Sequence, residues 1–205
     1  MTAMDKPIGC KTCLFISKRI PSSTSRLTET FLMKDGTLEN LRTQTIESEM
    51  KIVFLDFDGV LNSHDFLHRW QENAAREAVE FKGNEHLMLD PVAVGRVNQI
   101  LAASGAKVVI SSSWRHGWTI ERLKEILKAV GFVGEVIDYT PKHGKDRGHE
   151  IDEWLQDHDE GHDPFVILDD DSDMSHMTKH LVKTAFAHGI LDIHVEEAIE
   201  RLMGS

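Results

Sequence analysis

From Lys51 onward, apolar residues along the chain fall into runs of two kinds that alternate. The stretch "KIVFLDF" is continuous, of strand length and rich in β-branched and aromatic residues, the pattern of a strand buried on both faces. "AKVVISSS" and "PFVILDDDSD" repeat it, while "FVGEVID" and a weaker segment near "LVKTA" predict two shorter strands. Between these runs the apolar positions recur with helical spacing. In "LDPVAVGRVNQILAASG", Asp90 stands at the N-cap, Pro91 at the first helical position and Gly105 just past the end. Val94, Val97 and Leu101 line one face of that helix, with Ile100 beside them. Thr119 caps "IERLKEILKAVG", whose stripe is Leu123, Ile126, Leu127 and Val130 and whose stop is Gly131. "GHEIDEWLQDH" predicts a helix burying Ile151, Trp154 and Leu155, and a last helix starts at about Ile193 with Val195, Ile199 and Leu202 inward.

Strands separated by helices of this length imply an α/β domain with a mostly parallel central sheet and helices on both faces. In such sheets ligands bind beyond the carboxyl ends of the strands. Three of those ends carry polar clusters here: Asp56 with Asp58, Ser111 to Ser113, and Asp169 to Asp173. Right-handed connections bring the three ends to one edge. Each cluster alone reads as an ordinary turn; together they read as a site.

Residues 1–50 lack a sustained period and contain the polar stretches "PSSTSRLTET" and "RTQTIESE". They are expected to form a poorly ordered extension ahead of a domain over 51–205. The "CKTC" of Cys10 and Cys13 lacks the second half of a zinc site and any redox-fold context, so it is read as two incidental thiols.

Composition narrows the function classes. With 40% apolar and 28% charged residues, the 205-residue chain belongs with soluble globular proteins. No apolar run approaches the roughly 20 residues that span a bilayer, and "CLFI" is too short for a signal-peptide core. A cytoplasmic protein without a membrane partner is expected. Of the net charge of −11, the first 50 residues carry seven Lys/Arg against six Asp/Glu and the remainder 16 against 28. Such a surface is not expected to bind nucleic acid broadly and non-specifically. A divalent cation is favoured instead.

The acidic clusters carry the chemistry. Two carboxylates about 4 Å apart repel by roughly 4 kcal/mol at an effective dielectric near 20. A hard cation removes that cost, and Mg²⁺ prefers carboxylates, waters and a phosphate oxygen together. Asp56 then reads as a nucleophile that forms an aspartyl-phosphate, and Asp58 as the acid that protonates the leaving oxygen and later deprotonates water. Ser111 would donate a hydrogen bond to the phosphoryl group. Arg147 or Lys145 would supply a cation from the start of the helix before the last acidic strand end. Ser112, Arg115 and Gly59 are the candidate substrate contacts.

"DFDGV", the "VVIS" strand end, the Lys145/Arg147 helix start and "VILDDDSD" resemble, in order, the four motifs of the haloacid dehalogenase (HAD) superfamily of phosphohydrolases. The resemblance spans Lys51 to Ser205. "SSSWR", "RGHEIDEWL" and "VILDDDSDM" are further similar to small HAD domains associated with nucleic-acid repair proteins. It implies a three-layer Rossmann-like fold, Asp56 as nucleophile and Asp58 as acid/base, the mark of phosphatases rather than dehalogenases. It also implies Mg²⁺ held by Asp56, the Asp58 backbone carbonyl and Asp169 or Asp170. The run of three aspartates leaves the metal ligands open, and Asp173 is either one of them or the group that orients the cationic residue. Lys142, Lys145 and Arg147 compete for the third motif, with Arg147 opening the helix directly.

Family members usually select small substrates with an inserted cap. The interval between Asp58 and the Pro91 helix leaves about 30 residues, enough for a flap and one helix but not for a cap with its own core. A minimal or absent cap implies an open site for a bulky phosphorylated substrate: a nucleic-acid end, a phosphoprotein or a nucleotide. Trp70, Trp114, Trp118, Arg69, His64 and His68 are candidates to line its mouth, with core packing the alternative for Trp114 and Trp118 and the expectation for Trp154.

Overall fold

Alternation within the strands decides the layers. A computed structural model describes residues 50–77, 83–144, 146–158 and 164–204, together with two short strands, β1 (Ile16–Ser17) and β2 (Glu29–Thr30). The chain divides into two units, Met1–Ser48 and Glu49–Ser205. In the first, β1 and β2 pair antiparallel. The order expected of the rest of 1–50, including Cys10 and Cys13, lies outside the described residues.

The second unit runs β3 (Ile52–Leu55), α1 (His64–Glu77), α2 (Pro91–Ser104), β4 (Lys107–Ile110), α3 (Ile120–Ala129), β5 (Val136–Tyr139), α4 (Arg147–Asp157), β6 (Phe165–Asp169), β7 (Leu181–Lys183) and α5 (Asp192–Met203). The strands form one parallel sheet in the order β5-β4-β3-β6-β7. Val53, Leu55, Val108, Ile110, Val166 and Leu168 face a core shared with α2, α3 and α5. Ile52, Phe54, Val109, Phe165 and Ile167 face the opposite core, built on Ile151, Trp154 and Leu155 of α4 with Met174 and Met177. Side chains alternate across a strand, so a strand covered on both faces must be apolar at every position. That is why "KIVFLDF" reads as an unbroken run.

The helix punctuation works as the residue types dictate. Asp90 accepts from Val92 N at 2.8 Å, and Gly105 (φ 71°) closes α2 by donating to Leu101 O at 2.9 Å. Thr119 accepts from Arg122 N at 3.3 Å at the start of α3. Trp154 is core, as expected, with its indole N–H donated to Asp138 Oδ2 at 2.8 Å. Between Ser63 and Asp90 the described residues contain α1 and a single 3-10 turn, Glu85–Met88, in keeping with a flap rather than a cap. No helix among the described residues is long and apolar enough to cross a membrane.

Candidate active site

Register is what makes the site. Leu55 of β3 lies opposite Ile110 of β4 on one side and Leu168 of β6 on the other. The next residue of each strand is polar: Asp56, Ser111 and Asp169 stand side by side at the carboxyl edge. Asp56 N donates to Leu168 O and Ser111 N to Leu55 O, both at 3.0 Å, so the ladder continues one step into the polar row. Beyond it the β3 chain turns back, with Leu61 N and Asn62 N donating to Phe57 O at 2.8 and 3.1 Å. Gly59 holds φ 73°, where a side chain is strained, and a Cβ there would stand 2.2 Å from Asp170 Cγ. Glycine thus lets Asp170 reach over the turn toward Asp56. Thr184, following β7, ties the two loops together by donating its hydroxyl to Gly59 O at 2.7 Å and its N–H to Asp169 O at 2.9 Å.

Asp56, Asp169 and Asp170 each offer a carboxylate oxygen within 4.8 Å of the others. Asp56 and Asp169 are buried and Asp170 is half-buried. Facing them, Arg147 Nη1 lies 2.9 Å from Asp56 Oδ2 and 2.8 Å from Asp169 Oδ2. These are charge contacts without hydrogen-bond alignment: both Arg147 Nη1 and Asp169 Oδ2 are buried with no hydrogen-bond partner. Burial raises the Asp56 carboxyl above its ordinary range, opposed by the Arg147 charge and by a hydrogen bond from the Ser112 hydroxyl. Asp169 is pushed up to about 7 by burial and by the charge on Asp56, with Arg147 opposing. Asp170 is raised for the same two reasons. One guanidinium does not balance three carboxylates. An all-oxygen donor set with an orphaned buried oxygen and residual negative charge is what a hard divalent cation requires.

Arg147 is placed by the first turn of α4. Its N–H donates to Asp173 Oδ2 at 3.2 Å, and Gly148 N donates to Asp173 O at 3.1 Å. A Cβ on Gly148 would lie 2.1 Å from Met174 O, so the helix start packs directly on the loop after β6. This corrects the reading of Asp173 as a metal ligand: its side chain holds the backbone of the cationic residue and stands outside the carboxylate cluster. Lys145 lies outside the described residues; among the described residues it is Arg147 that faces the carboxylates.

The Asp58 side chain also stands outside the three-carboxylate cluster. Its Oδ1 accepts from Asn62 Nδ2 at 2.8 Å and its Oδ2 from Trp114 Nε1 at 3.0 Å. This leaves the side chain apart from the carboxylate cluster, as a reading of Asp58 as a ligand through its backbone carbonyl requires. Both serines are fully buried at the site. Ser112 is the one whose hydroxyl meets Asp56, while Ser111 Oγ has no hydrogen-bond partner among the described residues.

Arg115, expected to grip substrate, turns inward instead. It is 2% exposed, pairs with buried Glu150, and donates to the carbonyls of Ser111, Ser112, Thr140 and Pro141. A guanidinium with every donor engaged inside the protein is a staple between the β4 loop and α4, not a hand held out to solvent. Trp118 is exposed, as are Arg69, His64 and His68 on α1, whereas Trp70 and Trp114 are half-buried.

Asn62, Glu150, Thr184 and Gly148 were not singled out by sequence reasoning. An Asn four residues after Asp58 inside a turn was a faint signal for Asn62. The Trp114 contact with Asp58 spans 56 positions and had no local signal.

A family model described as "HAD domain in Swiss Army Knife RNA repair proteins" matches residues 52–195. No curated protein and no solved structure matches the chain.

Proposed function

The chain belongs to the HAD domains of Swiss Army Knife RNA repair proteins, and from that premise we propose that it is a Mg²⁺-dependent phosphomonoesterase acting on the phosphorylated ends of RNA. The observation that carries this reading is the polar row of Asp56, Ser111 and Asp169 at one register, with Arg147 bridging the two carboxylates and Asp58 two residues beyond the nucleophile.

The chemistry follows from the chain's own groups. An Asp56 oxygen attacks phosphorus as the bond from phosphorus to the ester oxygen breaks. Asp58 gives its proton to the departing oxygen, so that an alcohol leaves rather than an alkoxide. Water then attacks the phosphorus of the aspartyl-phosphate and gives a proton to Asp58, releasing inorganic phosphate and restoring both carboxyl groups. Arg147 and the serine hydroxyls offset charge on the transferring phosphoryl oxygens. Asp56, Asp169 and Asp170 are the residues to hold Mg²⁺, which when bound supplies the positive charge that the arginine alone does not. The short α1 flap leaves room for a polymeric substrate, and the acidic surface confines recognition to the end itself.

The test compares phosphate release from 3′- and 5′-phosphorylated oligoribonucleotides, from the matching mononucleotides and from p-nitrophenyl phosphate, with and without Mg²⁺. Turnover of oligonucleotide ends that needs Mg²⁺ and vanishes in Asp56→Asn is expected. Preference for mononucleotides would move the substrate to small nucleotides; hydrolysis of no ester with metal present would overturn the reading.

A further inference from the structure

The two donors on Asp58 are built differently from a chance surface contact. Asn62 is 1% exposed, and its amide orientation is fixed from both ends. Its Oδ1 accepts from Gly59 N at 3.1 Å while its Nδ2 donates to Asp58 Oδ1 at 2.8 Å. Turning the amide over would set its NH₂ against the Gly59 N–H and its oxygen against the carboxylate. Its backbone N–H is held as well, at 3.1 Å from Phe57 O. Trp114 packs its ring edge-to-face on fully buried Phe57, with centroids 5.4 Å apart, and its backbone N–H donates to Ser112 Oγ at 3.4 Å. The indole N–H can only donate, and it points at Asp58 Oδ2 from 3.0 Å.

We propose that Asn62 and Trp114 are positioning residues for Asp58, one holding each carboxyl oxygen, so that the acid meets the leaving oxygen in a single orientation. This rests on the phosphatase reading and on Asp58 as its acid. A carboxylate accepts about four hydrogen bonds, two at each oxygen. One donor on each oxygen fixes the plane of the group and leaves a lone-pair position on each for the travelling proton. Without the clamp, a half-exposed aspartate on a turn is free to rotate about two bonds, and misorientation costs rate without weakening binding. The two donors come from opposite walls, the turn after β3 and the loop after β4, so the clamp also registers those loops against each other.

The clamp differs from a merely structural tie in its dependence on the leaving group. An aryl oxygen such as p-nitrophenolate departs with little help from a proton, whereas a ribose oxygen needs one. Trp114→Phe keeps an aromatic ring against Phe57 and deletes the N–H. The expected result is a kcat loss about tenfold larger on a phosphorylated oligoribonucleotide than on p-nitrophenyl phosphate, with KM unchanged on both. Asp58→Asn is expected to show the same selectivity more strongly. Equal loss on the two esters, no loss, or an effect confined to KM would overturn the clamp while wild-type turnover keeps the phosphatase reading; an inert wild type would sink that reading and the clamp with it. A second measurement keeps Trp114 in place: in an Asp58→Asn variant whose other ¹⁵N resonances match the wild-type fold, the Trp114 indole N–H resonance should move. A resonance that stays in place would show that the bond does not exist.

Discussion

Two guanidinium groups, one buried and one half-buried, meet the first turns of α4 and do opposite things there. Arg115 pairs with Glu150 and spends its remaining donors on four backbone carbonyls, so charge and hydrogen-bonding capacity are both matched. Arg147, three residues before Glu150, faces Asp56 and Asp169 with one nitrogen, without hydrogen-bond alignment, and leaves Asp169 Oδ2 orphaned. The first region is a closed network that fixes the β4 loop against the helix. The second is a deliberately incomplete one, and an under-compensated cluster at a strand edge is where a ligand can complete the charge balance. Burial of charge alone therefore does not mark function; unmatched charge does.

That contrast can be broken at several points. The largest effect is expected on the incomplete side: Asp56→Asn should lower kcat/KM by at least about 10³-fold, by analogy with other nucleophile losses. Its thermal midpoint should hold or rise, because one of three repelling carboxylates is gone. Turnover of p-nitrophenyl phosphate and a melt of the same sample decide both halves. On the closed side the effect falls on stability. Arg115→Met should cost about 3–5 kcal/mol in urea unfolding by leaving Glu150 buried and unpaired, and Arg115→Met with Glu150→Leu should cost less than the two singles together. Additive losses would show that the pair is not coupled and would erase the distinction.

A gentler test uses protons. Asp169 has its folded pKa raised from 3.8 to about 7, so the folded state holds that proton more tightly than the unfolded state does. Its contribution to stability is full below about pH 4 and is lost as pH rises toward 7, at a slope on the order of 1 kcal/mol per pH unit. The metal-free protein minus Asp169→Asn, compared by denaturant midpoint, should show that slope, and Mg²⁺ should flatten it by binding the ionised form. A difference curve that does not fall across this range would mean that Arg147 already balances the cluster. The smallest effect is local: Gly59→Ala forces a side chain into positive φ and toward Asp170, at a cost of about 1–2 kcal/mol from the backbone conformation. Full stability in that variant would show that the turn relaxes and that Asp170 does not need its close approach.

Much of this was legible in the chain. The five strands, the caps on α2 and α3 and the inward stripes of the helices follow from periodicity and terminal residue types, which act over a few neighbouring positions. The three polar strand ends could be named because each directly follows an apolar run. The less legible part was the internal division of the clusters. Among Asp169, Asp170, Asp171 and Asp173 nothing local says which join Asp56, since that depends on how far the chain turns after β6 and on where α4 begins. Arg115 shows the same limit from the other side, because the exposure expected of an arginine after a strand gave way to a partner, Glu150, 35 positions away.

By itself, then, the sequence determined the alternation of elements, the parallel sheet and the aspartate pair at the end of the strand that starts at Ile52, because those depend on local pattern and on chirality. Only the tertiary structure decided the partners. Strand order puts β4 and β6 on either side of β3, register levels Asp56 with Ser111 and Asp169, and the meeting of separate loops aims Arg147 at the carboxylates, Trp114 at Asp58 and Arg115 at Glu150. Such contacts join residues tens of positions apart, and a charge or a hydrogen bond acts on whatever lies within a few ångströms, regardless of where that neighbour stands in the chain.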